Sequence, residues 1–152
     1  MVSTISRARG FTLIELIVSA AILSILCGLA LPMATYAARR EKERLLRRDL
    51  QEMRDAIDQY AQGSLAGAFF KAPSSGYPPT LESLTESIEL RNGKKLRLLK
   101  EIPIDPITGN RDWGVHSMED DPDSDSWDGE QIWNVYSKAD GTALDGTKYR
   151  EW

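Results

Sequence analysis

One carboxylate stands where the surrounding chemistry disfavours it. Glu15 is the single charge among the 21 residues from Phe11 to Leu31. In lipid, a carboxylate within an apolar helix costs about 2.5–3.5 kcal/mol on insertion scales, so it calls for a partner. A second concentration of acid is Glu119-Asp120-Asp121-Pro122-Asp123-Ser124-Asp125-Ser126-Trp127-Asp128-Gly129-Glu130, with seven acids and no base. From Asp121 its D-x-D-x-D spacing opens like a calcium loop, with Asp121, Asp123, Asp125 and Asp128 as candidate ligands. Ser126 and Ile132, however, stand where an EF-hand needs glycine and its closing glutamate. It is not an EF-hand, and a hydrated acidic loop explains the run, although such crowded acids would gain from a cation. Nothing here assembles an enzyme: His116 is the one histidine, and no nucleophile elbow, phosphate loop or zinc pattern is present. A lone histidine on a candidate strand reads as structural.

The elements that must position these residues follow from periodicity. A helix over Phe11–Leu31 is about 32 Å long at 1.5 Å per residue, enough to cross a hydrocarbon core of about 30 Å. Pro32 removes a backbone donor and predicts a kink. Beyond it Leu46, Leu50, Met53, Ile57 and Tyr60 recur at spacings of 4, 3, 4 and 3, one apolar stripe on an amphipathic helix. The charges around that stripe, among them Arg40, Lys42, Arg44, Asp49, Glu52, Arg54, Asp55 and Asp58, read as a solvated face. Glu43 and Arg47 form an attractive pair at i,i+4, and Arg44 and Arg48 a repulsive one. Gly63 predicts a helix end near Gln62.

Residues 68–79 hold Pro73, Gly76, Pro78 and Pro79 and read as a loop. Thr80 is placed to cap a short helix through Leu81, Leu84 and Ile88. Arg91-Asn92-Gly93-Lys94 is a turn, and the two prolines of Ile102–Pro106 exclude that stretch from the middle of a sheet. Trp113–His116 and Gln131–Tyr136 are the strand candidates. The expected fold is α+β: a long N-terminal kinked helix, transmembrane in its first half and amphipathic in its second, packed against a small antiparallel sheet of two or three strands.

The 152 residues carry a formal charge of −4, which gives no support for nucleic-acid binding. Cys27, the only cysteine, lies inside the apolar run, so no intrachain disulfide forms. A secretory signal peptide is a poorer description of the N-terminus, since the run is long and Glu15 interrupts its start. Six bases from Arg39 to Arg48 follow the run and only Arg7 and Arg9 precede it, so the positive-inside rule does not fix an orientation.

Gly10-Phe11-Thr12-Leu13-Ile14-Glu15, followed by an apolar helix, resembles the processing and assembly signature of the type IV pilin and pseudopilin superfamily. The resemblance implies a prepilin peptidase that cuts after Gly10, N-methylation of the new terminus at Phe11, and pairing of Glu15 with the amino terminus of a neighbouring subunit. It divides the chain into a leader (1–10), an assembly helix (11–31), its amphipathic continuation (32–62) and a small extracytoplasmic domain (63–152) holding the acidic loop 119–130. In the C-terminal half, Tyr77–Thr80, Leu99–Pro106, Val135–Gly141 and a final tryptophan are similar in order to the major pseudopilin of type II secretion systems. That resemblance implies calcium in a C-terminal loop, with Asp140 matching its aspartate and Asp145 offering a second carboxylate, although the tail here is short.

The implied role is a filament subunit, a helical homopolymer in contact with membrane lipid, the prepilin peptidase, an inner-membrane assembly platform and minor pseudopilins. It would be single-pass in the bacterial inner membrane with its C-terminal domain periplasmic, and then part of a periplasmic pseudopilus. A type IV pilus subunit, a minor pseudopilin and a membrane-anchored calcium-dependent binding domain are the alternatives. Ala20, Ala21, Ser24, Gly28 and Ala30 would allow close helix approach.

Overall fold

The computed structural model describes residues 10–71, 73–120, 127 and 129–152, the side chains of 29–32 excepted. The chain divides into two compact units at Arg39 and Arg40. One helix, α1 (Leu13–Leu65, 53 residues), contributes to both and includes Pro32 within its helical run.

In the first unit α1 carries large apolar side chains around its circumference, with Glu15 in its first turn. Leu13, Ile14, Leu16, Ile17, Ile22, Leu23, Ile25 and Leu26 are all exposed. An 18-residue window reaches a mean hydropathy of 2.4 with none of it buried inside the chain, so by length and composition this helix can cross a membrane.

In the second unit α1 supplies one wall of the core. Leu46, Met53 and Ile57 are fully buried and Leu50 is 1% exposed, the stripe expected from the 4-3-4-3 spacing. Phe69, Leu84, Leu99, Trp113, Ile132, Val135 and Tyr149 close over it. Each such aliphatic side chain contributes about 1.5–3 kcal/mol on burial. Tyr60 meets Phe69 edge to face at 5.1 Å.

The helix ends later than Gly63 suggests. Ala68 N donates to Gly63 O and Gly67 N to Ser64 O, both at 2.9 Å, and Gly67 takes φ +66°. That is a Schellman stop with Gly67 as the left-handed residue. Gly63 serves packing instead, since a Cβ there would lie 2.6 Å from the Phe69 ring.

The short helix expected through Leu81, Leu84 and Ile88 is only a 3-10 turn, Glu82–Leu84. Thr80 Oγ1 does accept from Ser83 N at 3.3 Å, but Leu84 O accepts from Leu99 N, which commits the segment to the core after one turn. Ile88 instead opens β1 (Ile88–Glu89), antiparallel to β2 (Lys95–Leu96). The turn at 91–94 therefore joins two strands. Leu90 N donates to Lys94 O at 2.8 Å, and Gly93 has φ +79°.

β3 (Trp113–His116) pairs antiparallel with β4 (Asn134–Ser137), Trp113 opposite Ser137 and His116 opposite Asn134. Strand β4 starts three residues later than Gln131, because Ile132 N is taken by Pro78 O. Gly114 lets the Tyr136 ring lie across the strand; a Cβ at 114 would sit 2.1 Å from it. His116 stacks on the same ring at 4.5 Å, the structural role expected of it. The architecture is α+β as the sequence implies, with the strands among the described residues divided between two two-stranded sheets. Ile102–Pro106 stays outside them. There the buried Asp105 accepts from Ile107 N at 2.7 Å and from Ser137 Oγ at 2.5 Å, tying this segment to the end of β4.

Candidate functional site

Two clusters hold the residues singled out from the sequence. The first is the start of α1. Thr12 Oγ1 accepts from Glu15 N at 3.3 Å, and Thr12 O accepts from Leu16 N at 3.1 Å. Thr12 is therefore the N-cap and Glu15 the third helical residue, the T-x-x-E spacing of a capping box. The positive end of the helix dipole favours a carboxylate in this first turn. The Thr12 type and its three-residue spacing from Glu15 are the signal in the sequence for this cap.

Gly10, Phe11 and Glu15 are all exposed and lie within six residues of one another. A Cβ at Gly10 would meet nothing within 4 Å, and its φ lies outside the left-handed range. Neither packing nor backbone strain demands glycine there. Glu15 stands among exposed apolar neighbours, and Phe11 is 78% exposed.

The second cluster is the C-terminal segment against the second half of α1. Glu43 Oε1 accepts from Leu144 N at 3.0 Å and from the Tyr149 hydroxyl at 2.9 Å. Arg47 Nη2 donates to Asp145 Oδ2. Half-buried Arg54 donates to Asn134 Oδ1 at 2.8 Å, to Val135 O at 2.9 Å and to the main-chain oxygen of Trp152. Desolvation lowers the pKa of Arg54 from its ordinary value. The expected solvated face is thus only part of the story. Lys42, Arg44, Glu52, Asp55 and Asp58 are exposed, whereas Glu43 and Asp49 are buried. Residues 43, 47 and 54 stand 4 and 7 apart, a polar row beside the apolar stripe, and that spacing was the available signal.

Asp140 and Asp145, the calcium ligands implied by resemblance, are both exposed. Asp145 is fully engaged. Oδ1 accepts from Thr147 N at 3.0 Å and Thr147 Oγ1 at 2.6 Å, while Oδ2 accepts from Arg47. Those Thr147 bonds, with Arg47 beside them, hold the Asp145 carboxyl below its ordinary pKa. Asp140 lines a separate recess with Tyr136, Lys138 and Arg150. Calcium needs six to eight oxygens. Among the described residues no three His, Cys, Asp or Glu side chains gather for a metal, and the seat at Asp145 already holds a guanidinium. The residues at Asp145 do not fit a calcium ion. Asp121, Asp123, Asp125 and Asp128 lie outside the described residues.

Comparison with known proteins agrees with the helix start. Residues 5–31 match the prokaryotic N-terminal methylation motif. Over 100 residues, 66% of this chain and 68% of the relative, the chain is 29% identical to the Type II secretion system core protein G of Pseudomonas aeruginosa. No solved structure matches at comparable stringency. These similarities support a pseudopilin or pilin-like role.

Proposed function

We propose that this chain is a body subunit of a type II secretion pseudopilus. It is cut after Gly10, N-methylated at Phe11, held in the inner membrane by the apolar half of α1, and then drawn into a periplasmic filament that drives protein secretion. The observation that carries the reading is Glu15 in the capped first turn of a helix whose described apolar side chains from Leu13 to Leu26 are exposed, beside a glycine the fold does not require. The similarity to core protein G supports a secretion filament. The lack of any cysteine outside the apolar half supports it further, since an adhesive pilin usually closes its C-terminal loop with a cysteine pair.

The mechanism is assembly. Cleavage by the prepilin peptidase leaves a cationic amine at Phe11, four residues before Glu15. As a subunit enters from the membrane, its amine meets the Glu15 carboxylate of the preceding subunit, which offsets the cost of holding either charge in an apolar surrounding. Apolar helices in lipid gain little from hydrophobicity when they associate, so this polar contact fixes axial register while small residues allow close packing. The contact is head to tail and does not close, as a filament needs. The assembly platform and minor pseudopilins are the partners this role requires.

Glu15→Ala tests the reading. The variant is expected to be processed and membrane-bound yet poorly incorporated into sheared filaments, as measured by immunoblot of filament and membrane fractions. Filament yield equal to the parent would remove Glu15 from the mechanism.

A further inference from the structure

The C-terminal segment is closed onto α1 by a ring of side chains. Trp152 Nε1 donates to Thr147 Oγ1 at 2.6 Å, and that hydroxyl donates in turn to Asp145 Oδ1, also at 2.6 Å. Asp145 Oδ2 accepts from Arg47. The Arg47 guanidinium lies over the Trp152 ring, 4.0 Å from its centroid, which completes the circuit. Thr147 both accepts and donates, and Arg47 serves as ion partner and as π-facing cation at once. Tyr149 meets Trp152 edge to face at 5.3 Å. Its hydroxyl goes to Glu43, one helical turn before Arg47. The loop between is tight: Ala143 N donates to Thr147 O at 2.7 Å, and Gly146 takes φ +91°.

We propose that Arg47 is the resident cation of this segment: the positive charge that fixes Asp145 and closes residues 141–152 comes from α1, and calcium takes no part at Asp145. A calcium ion would compete for both carboxylate oxygens, displace two bonds from Thr147, and stand beside a guanidinium that repels it. The guanidinium is covalently part of the chain and cannot be lost by dilution or chelation. The segment therefore stays closed at any calcium concentration. Its sensitivity is to ionic strength, because Arg47 and Asp145 are both about half exposed, at 57% and 45%. This inference is independent of the filament reading.

Hydrogen exchange of the full-length protein in detergent micelles tests it, read at peptides covering 141–152 with 46–60 as the internal reference. The probe is calcium itself, as millimolar calcium chloride against EGTA. The expected result is equal protection of 141–152 in both solutions. Arg47→Gln is expected to raise exchange there by about tenfold, the combined scale of an exposed ion pair and a cation–π contact, with calcium unable to restore it. Opening of 141–152 on chelation in the parent protein overturns the proposal, and so does full protection in Arg47→Gln with 46–60 intact. Should Arg47→Gln loosen 46–60 as well, the parent comparison alone decides. Calcium held by residues 119–130 would not imitate these results, because the readout is local to 141–152.

Discussion

The two halves of α1 differ in where their partners are. From Leu13 to Leu26 the large apolar side chains are exposed, and the helix's 18-residue apolar window buries nothing inside the chain. From Leu46 to Tyr60 an apolar row is covered by the chain's own aromatic and aliphatic residues, with a polar row alongside that grips the C-terminal segment. The same secondary structure thus serves two economies of contact. The second half finds its partners by folding, and the apolar window of the first half finds none inside the chain.

That contrast yields an ordered set of expectations. The largest concerns the buried stripe: Ile57→Ala should destabilise the C-terminal unit by about 2–5 kcal/mol, measured by denaturant unfolding in micelles. Ile25→Ala in the exposed half should leave that transition unmoved. If the two substitutions cost the same, the halves are not the separate environments described. Next is Gly114→Ala, whose new Cβ would fall 2.1 Å from the Tyr136 ring. Forcing that ring aside should cost about 1–3 kcal/mol, whereas Gly10→Ala should not change stability. Glu43→Gln removes the charge behind two hydrogen bonds and should cost about 1–2 kcal/mol, visible as a lower melting midpoint and faster exchange at Leu144.

The smallest effect is electrostatic. Bonds from Thr147 depress the Asp145 pKa from 3.8, with Arg47 adding to them, and bonds from Arg44 depress that of Glu41 from 4.5. A depressed carboxylate contributes stability that is present above its unfolded-state value and is lost as pH falls through the folded one. The melting midpoint should therefore hold at neutral pH and fall below about pH 4. Asp145→Asn should flatten part of that decline.

What was legible in the sequence follows the same division. The apolar helix could be read from residues alone, because a run of 21 residues with Glu15 as its single charge is a strong local signal. So could the 46–60 stripe, whose period is intrinsic to the helix. Strand β3 was placed to the residue, since Trp113–His116 is short, aromatic and β-branched. Elements decided by distant contacts were read less well. Ile88 falls on the helical spacing of Leu81 and Leu84 yet pairs with Leu96, and Gly63 has the type of a helix stop although Phe69 needs its space. At the candidate site, Glu15 stands out by its charge in an apolar run, whereas Gly10 and Phe11 enter through the family resemblance. The Glu43, Arg47 and Arg54 row was missed because i,i+4 charges on a helix usually face water, and only Leu144, Asp145, Tyr149 and Trp152 show otherwise.

Intact-mass and N-terminal fragment analysis of the protein purified from membranes that contain an active prepilin peptidase settles whether the start of α1 is a processed assembly end. The expected species begins at Phe11, carries one N-methyl group and lacks the first ten residues. A mature chain that still begins at Met1, or one that begins beyond Ala30, would contradict the account.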